Sequence, residues 1–220
     1  GFSGSAEGTF SETVKNSGIF GFLGTASGTF AQDFINNAGG AVSFSGTAKG
    51  TFNGAVTNAT GEIFGFSDSA EGTFNGTVKN SGTLGFSDKA KGTFSGEVTN
   101  DTGGIFGFSG SAEGTFAQDF TNNAGGTVSF AGTAEGIFGG AFENAGTAEF
   151  SGSAIGTFSS AFLNSGVVDL KNASAQIKFD GNFTNNKDGT VTLPDDASAS
   201  VSFGADTFSN SGTVNSSGLC

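Results

Sequence analysis

Every phenylalanine from Phe2 to Phe162 occupies an even-numbered position, 23 residues in all. Side chains on a β-strand alternate between the two faces of a sheet, so a single parity places all of these rings on one face. It also requires every turn between strands to advance the chain by an even number of residues. The valines of this stretch are even as well, whereas most charged residues are odd. The chain is therefore predicted to be all-β, with a phenylalanine-rich inner face and a charged outer face.

The rings belong to a repeat of 20 or 22 residues. Each unit contains Gly-Thr-Phe or a close variant, a Val or Phe four residues later, an Asn six residues later and a Gly-containing turn. Asn and Gly tolerate the left-handed conformations that turns need, so the Asn column is expected at a corner. The predicted core ladder is Phe10, Phe30, Phe52, Phe74, Phe94, Phe116, Phe138 and Phe158. The predicted turn ladder is Asn16, Asn36, Asn58, Asn80, Asn100, Asn122, Asn144 and Asn164, and Asn185 continues it at a shifted spacing.

This pattern predicts a repetitive β-solenoid, or stacked β-arches, with one coil per repeat. Each coil would have two strand-like segments and two corners, namely the Asn turn and an Ala-x-Gly corner such as Ala48-Lys49-Gly50. Stacked coils would place Phe on Phe and Asn on Asn, as in cross-β assemblies. The alternative is an antiparallel β-meander sheet, in which each turn is a hairpin. Parity does not separate the two folds.

The repeat weakens towards the C-terminus, where Phe179, Phe183 and Phe203 are odd and Pro194 interrupts the pattern. We expect a repeat array over residues 1–166, followed over 167–220 by degenerate repeats that serve as a cap or a subunit-docking segment. Residues 1–10 are identical to residues 107–116, so the first coil has an ordinary repeat sequence and no polar cap. An uncapped coil leaves a strand edge that can pair with another chain.

Composition excludes several classes of function. A net charge of −12, with eight lysines and no arginine, disfavours nucleic acid, and no apolar run is long enough for membrane insertion. The absence of histidine excludes Ser-His and Cys-His catalysis and imidazole metal sites. The adjacent acids Asp195 and Asp196 are interpreted as a solvated loop, not as a glycosidase pair. We therefore expect no enzymatic activity and no cofactor.

Two kinds of covalent modification are candidates. Cys220 is the only cysteine, so its candidate role is a disulfide between chains. Five Asn-x-Ser/Thr sequences fit the N-glycosylation pattern, at Asn58, Asn100, Asn172, Asn182 and Asn215.

The Phe-x-x-x-Val-x-Asn-x-Gly units resemble the Asn- and Gly-rich repeats of bacterial autotransporter and haemagglutinin-like β-helix adhesins over most of the chain. The richness in small residues, the acidic charge and Cys220 resemble the amyloid-like structural proteins of archaeal cell sheaths. This second resemblance implies hoops or tubes of repeated, covalently linked subunits.

The leading hypothesis is a non-enzymatic, extracellular structural protein that assembles with copies of itself through β-edge stacking into a sheath, fibre or cell-surface layer. Contact with glycans or the cell wall is a further expectation. A surface adhesin or autotransporter-like passenger domain is the alternative.

Overall fold

A computed structural model describes residues 1–170, 174–194, 198–204 and 208–216 of the chain. These residues form thirty short β-strands and no helix. Three consecutive strands make one coil. Each strand pairs with the strand at the same position in the next coil, so that β1 pairs with β4 and β4 with β7. The result is three ten-stranded sheets, which we call sheets I, II and III.

Sheet I contains β1 (Glu7–Phe10), β4 (Ser27–Phe30), β7 (Lys49–Phe52), β10 (Glu71–Phe74), β13 (Lys91–Phe94), β16 (Glu113–Phe116), β19 (Glu135–Phe138), β22 (Ile155–Phe158), β25 (Gln176–Phe179) and β28 (Ser200–Phe203). Sheet II contains β2 (Val14–Asn16), β5 (Phe34–Asn36), β8 (Val56–Asn58), β11 (Val78–Asn80), β14 (Val98–Asn100), β17 (Phe120–Asn122), β20 (Phe142–Asn144), β23 (Phe162–Asn164), β26 (Phe183–Asn185) and β29 (Phe208–Asn210). Sheet III contains β3 (Ile19–Phe22), β6 (Ala41–Phe44), β9 (Ile63–Phe66), β12 (Thr83–Phe86), β15 (Ile105–Phe108), β18 (Thr127–Phe130), β21 (Thr147–Phe150), β24 (Val167–Asp169), β27 (Thr190–Thr192) and β30 (Thr213–Asn215).

Every strand pair is parallel and in register, so that Phe74, for example, pairs with Phe52 and with Phe94. An antiparallel meander would pair each strand with its neighbour in sequence. The β-solenoid is therefore confirmed, and the meander alternative is wrong.

Each coil has three strands and three corners, so the prediction of two strands and two corners was wrong. The chain does not run as one strand through the core Phe to the Asn. One strand ends at the core Phe and a second begins four residues later, as at Phe52 and Val56. A glycine occupies this extra corner in several coils, for example Gly54 and Gly76. A Cβ atom added at either position would overlap the backbone of the preceding coil. The corner is short and preserves parity, which is why a period-two pattern runs through it unbroken.

The Ala-x-Gly sequence is not a corner, contrary to the prediction. Ala48 is buried, and both Lys49 and Gly50 lie in strand β7. The chain turns earlier, at Gly46, whose φ is +77°. Gly50 faces inward, where a Cβ atom would lie 2.8 Å from the ring of Phe44. These inward glycines make room for phenylalanine rings.

The interior holds two long stacks of aromatic rings. One lies under sheet I and contains the eight residues of the predicted core ladder, followed by Phe179 and Phe203. Neighbouring ring centroids in it are 4.6 to 5.3 Å apart, and the planes of the rings are nearly parallel. This spacing follows from the distance between paired strands. The second stack lies under sheet III, and the two meet edge to face, as Phe66 and Phe74 do at 6.0 Å.

Two further core positions in each coil compensate for one another in size. They are the first residue of the sheet II strand and the second residue of the sheet III strand. Where one is phenylalanine the other is small, as in Phe34 with Val42, and the order reverses in the next coil, with Val56 and Phe64. In one coil the pair is Val78 and Leu84. Each coil therefore fills a nearly constant volume, as close packing requires.

The described part of residues 167–216 continues the three sheets. Phe179 pairs with Phe158 and Phe183 with Phe162, although their parity differs. Six residues separate Asp169 from Gln176. Only five separate Glu149 from Ile155, which are the residues that pair with Asp169 and Gln176 in the preceding coil. One extra residue at this corner shifts the parity without disturbing the register of the strands.

Candidate functional site

The asparagines form a buried hydrogen-bond ladder along one edge of the solenoid. The Nδ2 of Asn80 donates to Oδ1 of Asn100 at 2.8 Å, and to the carbonyls of Gly82 and Ile105 at 3.0 and 2.9 Å. Asn80 and Asn100 are both completely buried. No buried side-chain nitrogen or oxygen among the described residues lacks a partner. The ladder therefore ties each corner to the next coil through satisfied polar groups.

All eight asparagines of the predicted turn ladder belong to this column, and the structure extends it to Asn185 and Asn210. Sequence analysis placed Asn185 in the column at a shifted spacing and missed Asn210. The reason is that Asn185 and Asn210 are 25 residues apart. The signal that could have found Asn210 is the tripeptide Asn-Ser-Gly, which also begins at Asn80 and Asn164.

The ladder has a direction. Each Nδ2 donates to the Oδ1 of the following coil, from Asn16 to Asn210. In the first coil, Oδ1 of Asn16 accepts from the backbone N–H of Gly18 at 3.3 Å and has no preceding asparagine. In the last described coil, Nδ2 of Asn210 donates to the carbonyl of Gly212 at 3.4 Å. One end of the solenoid thus presents an amide oxygen, and the other presents an amide N–H.

The glycosylation candidates fall into three groups. Asn58 and Asn100 are members of the buried ladder, and a glycan on either Nδ2 would have to break it, which argues against modification of the folded chain. Asn182 is exposed, and so is Asn215, although Ser217, the third residue of its Asn-x-Ser sequence, lies outside the described residues. Asn172 also lies outside them.

The described residues provide no test of the disulfide and carboxylate candidates, and they show no metal site. Cys220, Asp195 and Asp196 lie outside the described residues. Within the described part of the chain, no three His, Cys, Asp or Glu side chains cluster as a metal site would require. Nor does that part contain a helix that is long and apolar enough to cross a membrane.

The charges of the outer faces form ion pairs between neighbouring coils. On sheet I, Lys49 Nζ lies 2.8 Å from a carboxylate oxygen of Glu71, and Lys91 Nζ lies 2.7 Å from one of Glu113. The hydrogen bond and charge of Glu113 raise the pKa of Lys91 above its ordinary value. All four side chains are about half exposed, so each pair contributes little to stability.

The two end coils expose the core. In the first coil, Phe2, Phe10, Val14 and Phe20 are only partly buried. In the last described coil, Phe203 is 43% exposed and Phe208 is 49% exposed. Phenylalanines of the interior coils are at most 2% exposed. Among the described residues, core phenylalanines are therefore exposed only in these two end coils.

Comparison with known proteins finds similarity at the level of structure. No protein-family profile matches the chain, and no curated protein matches it. Among solved structures, it is similar to a fragment of TibA that was hyper-glycosylated in a TibC-catalysed reaction. The identity is 13% and the TM-score 0.21, with 96% of this chain and 97% of the other covered. A similarity of this strength carries no argument about function.

Proposed function

We propose that this chain is a non-enzymatic structural protein of the cell exterior that assembles end to end with copies of itself. The observation that supports this most directly is the pair of open end coils. Among the described residues, each carries the outermost strand of every sheet, together with core phenylalanines that are partly exposed in the first coil and about half exposed in the last. Strand edges of this kind are templates for pairing with another chain.

Backbone hydrogen bonding supports a head-to-tail junction. The N–H groups of Ser27 and Ala31 donate to carbonyls of the first coil, and the intervening Thr29 faces the same way because bonding alternates with a period of two. In the first coil, the equivalent N–H groups of Glu7, Thr9 and Ser11 therefore point away from the rest of the chain. They match the outward-facing carbonyls of the last described coil, such as that of Phe203, whose counterpart Phe179 accepts from Gly204 of the following coil.

The side chains of the two ends match in the same register. Phe203 continues the column that starts at Phe10, and Phe208 continues the column that starts at Val14. In this arrangement, Nδ2 of Asn210 donates to Oδ1 of Asn16 in the next copy, which continues the directional ladder. Two N-terminal ends would bring amide oxygen against amide oxygen, so the direction of the ladder favours a single polarity.

A head-to-tail contact between different surfaces generates a ring if the rotation between copies closes and an open fibre if it does not, and stacking along the solenoid axis gives the fibre. A fibre, sheath or surface layer built this way needs no catalytic residues. The acidic surface keeps single copies soluble by repulsion before assembly. Because the chain has a single cysteine, no disulfide can form within it, and a link between copies through Cys220 stays a prediction.

The experiment removes the backbone N–H of Thr9, which faces away from the rest of the chain. Thr9→Pro removes this donor without removing a hydrogen bond from within the solenoid, and we expect it to convert polymers into short or soluble species. Thr9→Val retains the N–H and is the matched control. Deletion of residues 1–10 should also reduce polymerisation. Sedimentation and electron microscopy report the outcome.

Equal polymerisation of the parent, Thr9→Pro and the deletion variant would rule out the N-terminal edge as the junction. Solitary particles of the parent chain at every concentration would favour the alternative, a surface adhesin.

A further inference from the structure

The outer face of sheet III differs from the rest of the surface. Over the six strands β3, β6, β9, β12, β15 and β18, three outward columns contain no charged residue, although the chain carries a net charge of −12. The columns are Ile19, Ala41, Ile63, Thr83, Ile105 and Thr127; Gly21, Ser43, Gly65, Gly85, Gly107 and Ser129; and Leu23, Ser45, Ser67, Ser87, Ser109 and Ala131. We call this surface the neutral face.

The neutral face also carries the exposed apolar side chains. In residues 1–130, the strongly exposed large hydrophobic residues are Ile19, Leu23, Ile63 and Ile105, and all four belong to it. The isoleucines are 88%, 57% and 46% exposed in chain order. Beside them, the glycine and serine column forms the floor of a shallow groove. Beyond the sixth strand the floor column becomes acidic, at Glu149 and then Asp169.

Large and small residues alternate on this face in a way that is complementary to itself. If a second copy lies face to face with its solenoid axis reversed, β3 lies opposite β18, β6 opposite β15, and β9 opposite β12. Each isoleucine then faces a smaller residue of the other copy: Ile19 faces Thr127, Ile63 faces Thr83, and Ile105 faces Ala41. Leu23 likewise faces Ala131, and the paired floor residues are all glycine or serine.

The opposite arrangement, with parallel axes, does not have this complementarity. It would place Ile19 against Leu23 of the second copy, and Glu149 against its own equivalent, where like charges repel. In the antiparallel arrangement, Glu149 lies beyond the end of the covered area. The charge of Glu149 and the shape of the three columns therefore favour the antiparallel geometry, in which Asp68 and Asp88 meet only at the rim of the face.

We propose that the neutral face is a contact surface between two copies of this chain, packed face to face with antiparallel solenoid axes. Five residues at about 3.3 Å and six strands at about 4.8 Å give a footprint of about 475 Å² per copy. The total of about 950 Å² is below the range of stable interfaces, so the pair is weak for isolated copies. It becomes strong when many copies are connected along a fibre.

The proposal is independent of end-to-end assembly. The lateral contact gives a closed dimer, whereas end stacking gives an open series of larger species. Sedimentation velocity separates these two results. Measurements in the Thr9→Pro chain isolate the lateral contact if end stacking occurs.

The test places a charge in the centre of the face. Gly85 lies opposite Gly65 of the second copy, and a Cβ atom added at Gly85 meets no atom of its own chain within 4 Å. Gly85→Glu should therefore leave the coil intact and weaken dimerisation at least tenfold. Thr93→Glu adds the same charge on the exposed face of sheet I and is the matched control. Far-UV circular dichroism checks that both variants are folded.

A second variant tests the antiparallel register. A Cβ atom at Gly65 comes no closer than 4.0 Å to its own chain, so Gly65→Lys is also tolerated by the fold. Mixing the Gly85→Glu chain with the Gly65→Lys chain brings Glu opposite Lys only in the antiparallel pair, and dimerisation should recover. The proposal is overturned if the parent stays monomeric up to about 1 mM, the upper end of weak affinities. It is also overturned if Gly85→Glu dimerises as the parent does, or if the mixture does not recover.

Discussion

The size compensation between the two variable core positions can be tested by exchanging them. In the sixth coil these positions are Phe120, in sheet II, and Val128, in sheet III, and both are at most 1% exposed. The ring of Phe120 stacks on Phe142 at 5.1 Å and meets Phe116 edge to face at 5.2 Å. Exchanging the two residues preserves composition and total side-chain volume.

Each single change should be destabilising. Truncation of a buried Phe to Ala costs about 3–5 kcal/mol, and Val retains part of the side chain, so we expect Phe120→Val to lower the free energy of unfolding by about 2–3 kcal/mol. Val128→Phe overfills the coil and should cost about 1–3 kcal/mol. The double variant restores the volume, so its loss should be about 1 kcal/mol, well below the sum of the single losses. The coupling energy, which is the difference between that sum and the loss in the double variant, should be about 2–5 kcal/mol.

The assay is urea unfolding at low protein concentration, followed by far-UV circular dichroism, which suits a chain without tryptophan or tyrosine. The dependence of unfolding free energy on urea should be the same for all four proteins, because they expose similar surfaces on unfolding. Additive losses in the double variant would refute the compensation, since they would show that the two sites do not share one space.

Three further predictions follow from positions in the coil. Phe74→Ala should lower the free energy of unfolding by about 3–5 kcal/mol, whereas Lys79→Ala, on the outer face, should cost under about 0.5 kcal/mol; similar losses in urea unfolding would contradict the assignment of faces. Asn100→Ala interrupts the buried ladder and leaves its partners unsatisfied, so it should cost about 1–3 kcal/mol, while Asn75→Ala, at an exposed bond to the preceding coil, should cost much less in the same assay. If Cys220 links copies, unreduced electrophoresis should show a dimer that disappears on reduction and in Cys220→Ser; a purely monomeric band from unreduced native material would refute the link.

The distinction between inside and outside was predictable from sequence because both strands and corners preserve parity. The buried residues Phe30, Phe52 and Phe74 and the exposed residue Glu71 lie on the predicted faces. Solenoid and meander could not be separated, because alternation describes which face a side chain is on and not which strand pairs with which. That information is in the register, as in the pairing of Asn80 with Asn58 and Asn100.

The corners were less predictable because glycine serves two purposes in this chain. Gly46 allows a positive φ, whereas Gly50 provides space for the ring of Phe44, and composition alone does not distinguish the two. The continuation of the fold beyond residue 166 was obscured for another reason. A single residue inserted between two strands changes the parity of the positions that follow. The pairing of Phe158 with Phe179 is unaffected, because it requires only that the strand lengths match. The neutral face was also missed, because three outward columns become adjacent only when the corners are known.

Electron cryomicroscopy of the purified 220-residue chain tests the central claim most directly. If copies join head to tail through their end coils, the images will show filaments in which layers of about 4.8 Å continue through each junction, with all copies along one filament pointing in one direction. Discrete single particles at high concentration, or filaments whose layers are interrupted at the junctions or along which successive copies alternate in direction, would contradict it.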